Sequence, residues 1–168
     1  MTKEERKQMY EEADKLYFNH EYEKALPLYE TLAADNHAVA QCTLGEMYLY
    51  GDSVNVDVDK AMELFIQSVK NGFHPAEKPL SRILQKKWNE EMKKVYAASP
   101  ETLEIVINPL VTLIPEENVL VVTFLFVHGA PSGLFTQELQ NETTHAFENY
   151  FNGRFKVYSA TATIEHQM

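Results

Sequence analysis

The chain has 168 residues, with 15 Lys and Arg against 25 Asp and Glu, a formal charge of −10 at neutral pH and 45% apolar residues. That composition excludes a disordered tail, a collagen-like chain and a Cys-rich scaffold. No apolar run reaches the ~18 residues of a membrane-spanning helix, the opening Met1-Thr-Lys-Glu-Glu-Arg6 lacks the apolar core of a secretory leader, and so acidic a chain repels nucleic acid and anionic lipid. The expectation is a cytoplasmic protein that binds neither.

Charge and texture divide the chain at the same place. Residues 1–99 hold 13 basic and 17 acidic residues, and residues 100–168 hold 2 and 8. The first part shows helical spacing, and the second shows β-rich runs. Ala98-Ser-Pro100 is the expected joint, because the residue before a proline disfavours helix. Two domains are therefore expected, 1–99 and 100–168.

The first part contains an internal repeat. Tyr22-Glu-Lys-Ala-Leu-Pro-Leu-Tyr29 is echoed by Val58-Asp-Lys-Ala-Met-Glu-Leu-Phe65, with Lys24-Ala25 and Lys60-Ala61 offset by 36 residues. Ala40 and Ala76 keep that offset, as do the helix terminators Asn36 and Gly72. Such a period predicts a helical-hairpin solenoid. In the second unit, Ala40, Leu44, Met47 and Tyr48 form the buried stripe of one helix. Gly45 costs that helix about 1 kcal/mol of propensity relative to Ala, which is tolerated where a neighbouring helix must come close. Gly51 ends the helix, and Asp57 caps the next, which turns Ala61, Leu64 and Phe65 inward. The only cysteine, Cys42, lies in this apolar stretch and reads as a small buried hydrophobe rather than a reactive thiol.

The segment Ala38-Val-Ala-Gln-Cys-Thr-Leu-Gly-Glu-Met-Tyr-Leu-Tyr-Gly51, then Val54-Asn-Val-Asp57, Lys60-Ala61 and Gly72-Phe-His-Pro-Ala76, resembles a Sel1-like repeat, a relative of the tetratricopeptide repeat. Ser53 replaces the second glycine of the family loop. The earlier unit, Ala13 to Leu26, has the shorter loop of a tetratricopeptide unit, and a closing helix runs from Ala76 to about Ala97. The resemblance covers residues 10–84. It implies that first helices line a concave binding face, on which Tyr10, Asp14, Tyr17, Val39, Glu46, Tyr50, Arg82 and Lys86 become candidate partner contacts. Tyr17 and Tyr50 are as well suited to packing between units as to binding. Two repeats plus a closing helix fall short of the three or so units a free stack needs. The second domain or a second subunit is expected to cover the end, giving a monomer or a homodimer.

In the second part, residues 103–107, 119–127 and 155–164 read as strands, with Leu110–Ile114 as a further candidate. The almost wholly apolar 119–127 predicts a central strand. Leu139, Thr143, Ala146, Phe147, Tyr150 and Phe151 share one helical face. The fold class is therefore α+β, with a helical solenoid followed by a small β-β-α-β or β-β-β-α-β domain.

Little of the sequence suggests chemistry. The six histidines form no metal-ligand array. Ser132, with His128 and His145 as bases, is the one nucleophile candidate, and Gly129-Ala-Pro-Ser-Gly133 is a turn rather than a nucleophile elbow. No catalytic residue, metal or cofactor is expected. Lys78, Arg82 and Lys86 share one face of the closing helix, and Trp88 beside them can anchor core or interface. The function expected is a non-enzymatic protein-binding module of a bacterial cytoplasm, in its specific form an immunity protein whose acidic charge steers it onto a basic toxin domain. The alternatives are a Sel1-like adaptor in a signalling or secretion assembly, and a small enzyme with a site between the domains. Both the concave face and the acidic second domain are candidate binding surfaces.

Overall fold

Thr2, His37 and Asp57 each stand one residue before a helix, and each side chain accepts a hydrogen bond from a first-turn backbone N–H. In the computed structural model, these caps open α1 (Lys3–Phe18), α3 (Ala38–Tyr50) and α4 (Val58–Lys70); α2 (Tyr22–Ala34) lies between the first two. A 3₁₀ turn, His74–Ala76, leads into α5 (Glu77–Val95). Three strands follow: β1 (Ile107–Ile114), β2 (Val119–Val127) and β3 (Lys156–Ile164). The structure describes residues 1–95, 107–114, 119–127 and 156–164, and residues 117, 141, 144, 145, 148, 149, 153 and 155. The chain divides into two compact units, Met1–Leu80 and Ser81–Met168. The joint expected at Ala98-Ser-Pro100 lies outside the described residues.

In the first unit α1 packs on α2, α2 on α3, and α3 on α4. The 36-residue offset carries Tyr22 onto Val58 and Ala34 onto Lys70, the two ends of α2 and α4. The turns after these helices repeat bond for bond. Asn36 N donates to Ala33 O and Gly72 N to Val69 O; His37 N donates to Leu32 O and Phe73 N to Ser68 O. Asn36 and Gly72 both have left-handed backbone, with φ of +59° and +93°. The loops inside the two helix pairs differ, with three residues at 19–21 and seven at 51–57. Ser53 in the longer loop also has a left-handed φ, +60°, so it occupies a conformation that favours the glycine it replaces.

The core repeats as well. Tyr29 and its counterpart Phe65 are fully buried, as are Ala25 and Ala61, and Ala40 and Ala76. A Cβ on Gly45 would stand 2.8 Å from Cε1 of Phe65, so the helix gives up propensity to let the ring lie against its backbone. Among the described residues, two uncharged polar side chains are sealed in this core. Gln41, 0% exposed, donates to Ala33 O at 3.1 Å and accepts from Asn71 Nδ2 at 2.8 Å. Ser68, also 0% exposed, donates to Ala38 O at 2.7 Å. These bonds link α2, α3 and the end of α4, and satisfy polar groups that would be costly if orphaned.

In the second unit Leu80's neighbours Ile83 and Leu84 are buried on α5. The strands form one mixed sheet in the order β1-β2-β3, with β2 central, antiparallel to β1 and parallel to β3. The register shifts between Ile107 and Leu110, which places Asn108-Pro109 in a bulge where the missing proline N–H is harmless. The expected strands 103–107 and 110–114 are thus represented by one described strand beginning at Ile107, and residues 103–106 lie outside the described residues. A parallel pair needs a long crossover. Of the described residues of that crossover, Asn141, Thr144, His145, Glu148 and Asn149 are helical, and Gly153 stands in a turn after them. Glu148 Oε1 accepts from Val157 N at 3.2 Å, occupying a backbone donor of β3.

Two outcomes follow from the first unit. Gly45→Ala gains helix propensity yet loses about 1–3 kcal/mol of stability through overpacking against Phe65, measured as a lower urea midpoint. His37 caps α3 only as a neutral acceptor, with Nδ1 3.2 Å from Ala40 N. Burial and then the charge of Arg6 hold its pKa below the ordinary 6.5. The unfolded chain therefore binds the proton first, and stability present above pH 6.5 is lost as pH falls through that window. His37→Asn keeps a cap without the titration, so its urea midpoint falls less than the wild-type midpoint between pH 7.5 and 5.5.

Candidate partner-binding face

α1 and α3 run side by side in the same direction, as their side-chain neighbours show. Near the N-terminal end of α3, Tyr10 stacks on His37 with ring centroids 4.8 Å apart and planes inclined by 22°. Towards the other end, Tyr17 feels the charges of Glu46 and Asp52 and lies near Tyr50. The face between the two helices therefore gathers Tyr10, Asp14, Tyr17, Glu46 and Tyr50.

Each of these residues has a distinct setting. Tyr10 is half-buried, and its hydroxyl lies 3.4 Å from Asp14 Oδ1. Tyr17 packs against Tyr22 at 5.2 Å and edge-on to Tyr29 at 5.9 Å. Burial, then Glu46 and Asp52, push its phenol up to about 12. Tyr17 thus serves the core with its ring and the face with its hydroxyl. Tyr50 is 65% exposed and packs little of its ring. Val39 is half-buried in the first turn of α3. Arg82 and Lys86 are exposed on α5, in the second unit.

Glu46 has the least comfortable position. It is half-buried, and burial first, then the charge of Asp52, raise its carboxyl pKa. Among the described residues it has neither a hydrogen bond nor an ion pair. Beneath the face, the fully buried Tyr29 hydroxyl also has no hydrogen-bond partner. Thr43 lies near it but out of bonding geometry, and donates its own proton to Val39 O at 3.3 Å.

Two further residues belong to this region. Phe18, at the end of α1, is 71% exposed, and Val56, which lies against Gly51, is 61% exposed. Phe18 falls off the apolar stripe of α1 and so gave a readable signal. Val56 sits in the longer loop, where periodicity says nothing.

The remaining chemistry is sparse. Cys42 is buried, and burial followed by Glu46 pushes its thiol up to about 12, so it stays protonated and inert at neutral pH. His145 is exposed and lies 3.3 Å from Glu148 Oε2; His128 and Ser132 lie outside the described residues, as does the side chain of Trp88. Among the described residues no three His, Cys, Asp or Glu side chains are grouped to hold a metal ion, and no helix is long and apolar enough to cross a membrane.

A carboxylate with a raised pKa costs the folded state stability at neutral pH, and the cost fades as pH falls towards the ordinary value of 4.5. Glu46→Gln is therefore expected to match or exceed the wild-type urea midpoint at pH 7, with the difference shrinking towards pH 5. No family model, curated protein or solved structure matches the chain.

Proposed function

We propose that this chain is a non-enzymatic protein-binding module, built as a short Sel1-like helical solenoid followed in sequence by a small α+β domain. Its specific form is a bacterial cytoplasmic immunity protein that neutralises a basic toxin domain. The observation that carries the binding reading is Glu46: a half-buried carboxylate that makes no ion pair or hydrogen bond among the described residues, one helical turn before the exposed Tyr50 on α3. A residue that costs the free protein stability is explained by what it meets in a complex. Tyrosine suits such a face because it buries a large ring and keeps a polar tip. The charge of −10 supports the choice of partner, since it steers a basic domain in and repels nucleic acid.

The reading predicts one partner, retained on the immobilised chain at near one-to-one stoichiometry and released as salt rises from 0.05 M to 0.5 M, on the order of magnitude over which screening removes surface attraction. Tyr50→Ala reduces that retention. For the immunity form, the partner is a large secreted toxin encoded by a neighbouring gene. Retention that ignores both salt and Tyr50 would overturn the reading.

A further inference from the structure

We infer that Asn71 is a site of covalent self-modification: the Asn71-Gly72 pair closes to a cyclic imide and opens to a carboxylic acid, at a rate governed by the Gln41 hydrogen bond, and the product releases the end of α4 from α3. The site does not depend on partner binding.

Of the ten asparagines, Asn71 and Asn152 alone precede glycine; Asn152 lies outside the described residues. Asparagine before glycine is the pair most open to this reaction, because glycine has no Cβ to bar its nitrogen from the neighbouring side-chain amide. Asn71 ends α4 and is exposed to water. A Cβ on Gly72 would meet nothing within 4 Å, so the space beside the reacting nitrogen is open. The Gly72 nitrogen, its proton taken by hydroxide, attacks Asn71 Cγ. The N–Cγ bond forms, the Cγ–Nδ2 bond breaks, and Nδ2 takes a proton from water and leaves as ammonia. Water then adds to either carbonyl of the imide, giving aspartate or its β-linked isomer. No oxidant or reductant takes part.

Two hydrogen bonds hold the pair back. Gly72 N donates to Val69 O at 2.9 Å, and a bonded amide gives up its proton slowly. Asn71 Nδ2 donates to Oε1 of the fully buried Gln41 at 2.8 Å, which fixes the amide that must be attacked.

The same bonds decide what conversion does. Gln41 also donates to Ala33 O at 3.1 Å, so it cannot turn its own N–H towards a carboxylate without aiming its oxygen at that carbonyl. Conversion therefore sets two acceptors against each other. It also adds negative charge at the C-terminal end of α4, where the helix dipole disfavours it. The preceding helix pair shows the contrast. Asp35, one 36-residue period earlier, ends α2 with a carboxylate, and Arg6 meets its Oδ2 with Nε at 2.7 Å and Nη2 at 2.6 Å. Position 71 offers a carboxylate no such cation, but the oxygen of Gln41.

The test is incubation of the full chain at mildly alkaline pH, with peptide mass spectrometry following conversion at Asn71 separately from Asn152. Conversion is expected to run at least about tenfold faster in guanidinium chloride, where both bonds are lost. In native buffer, Gln41→Met, which keeps the side-chain length without the hydrogen bonds, is expected to speed it about threefold to tenfold, the factor carried by one net hydrogen bond. Asn71→Asp is expected to lower the urea midpoint more than Asn71→Ala, because it adds repulsion to the lost bond. Equal rates in the folded and unfolded chain, or no conversion in either, would overturn the site. An unchanged midpoint for Asn71→Asp would overturn its effect on the α3–α4 joint. The guanidinium comparison and Asn71→Asp decide the matter even where Gln41→Met does not fold.

Discussion

The contact between Gly45 and Phe65 fixes the distance between α3 and α4. With no side chain on Gly45, the ring lies against helix backbone, while Met47 of α3 and Leu64 of α4 are buried in the cluster that holds Tyr29. The preceding pair uses Ala13 and Tyr29, both fully buried in the same cluster. A small residue and a large ring thus recur in both helix pairs. The polar bonds of Gln41 then hold the second pair against the first. Packing of this kind leaves few ways to slide, because each ring has one gap that accepts it.

The face between α1 and α3 follows from the same arrangement. With Tyr29 and Phe65 buried in the cores of the two pairs, Tyr10 and Tyr17 of α1 lie half-buried towards α3, and Tyr50 at the end of α3 stays exposed. Tyr10 is fixed by His37, and Tyr17 by three neighbouring rings. Tyr50 has no such support. A graded surface results, with rigid aromatic residues at one end and exposed ones at the other, beside two acidic groups that disfavour each other. Rigid neighbours hold a binding surface in shape before the partner arrives, which lowers the entropic cost of association.

Much of the first unit was legible because its signals are local. The echo of Lys24-Ala25 in Lys60-Ala61 located both second helices, and Gly45, Gly51, Asp57 and Gly72 marked a close approach, two ends and a cap. What escaped depended on partners distant in sequence. Gln41 carries no local sign of burial, and its bonds to Ala33 and Asn71 make it a core residue. His37 reads as an ordinary turn residue and is a cap. In the second unit, the apolar run 119–127 announced a central strand. Its parallel pairing with β3 was not legible, because the partners are joined by a long crossover and no local pattern selects the direction. Pro109 reads as a break between strands, whereas a bulge lets one strand pass through it. On the site, Tyr17, Glu46 and Tyr50 were readable as outward positions. That Glu46 makes no ion pair among the described residues was not, since it depends on residues distant in sequence.

The bond-for-bond identity of the turns after α2 and α4 has a consequence for how such a chain can change length. A turn that presents equivalent carbonyl acceptors and the same left-handed backbone at two places acts as a standard coupling. A 36-residue unit inserted at either coupling meets the neighbours it would have met at the other. The array can therefore grow or shrink by whole units without redesigning an interface, while small length differences are confined to the loop at residues 51–57, away from both couplings.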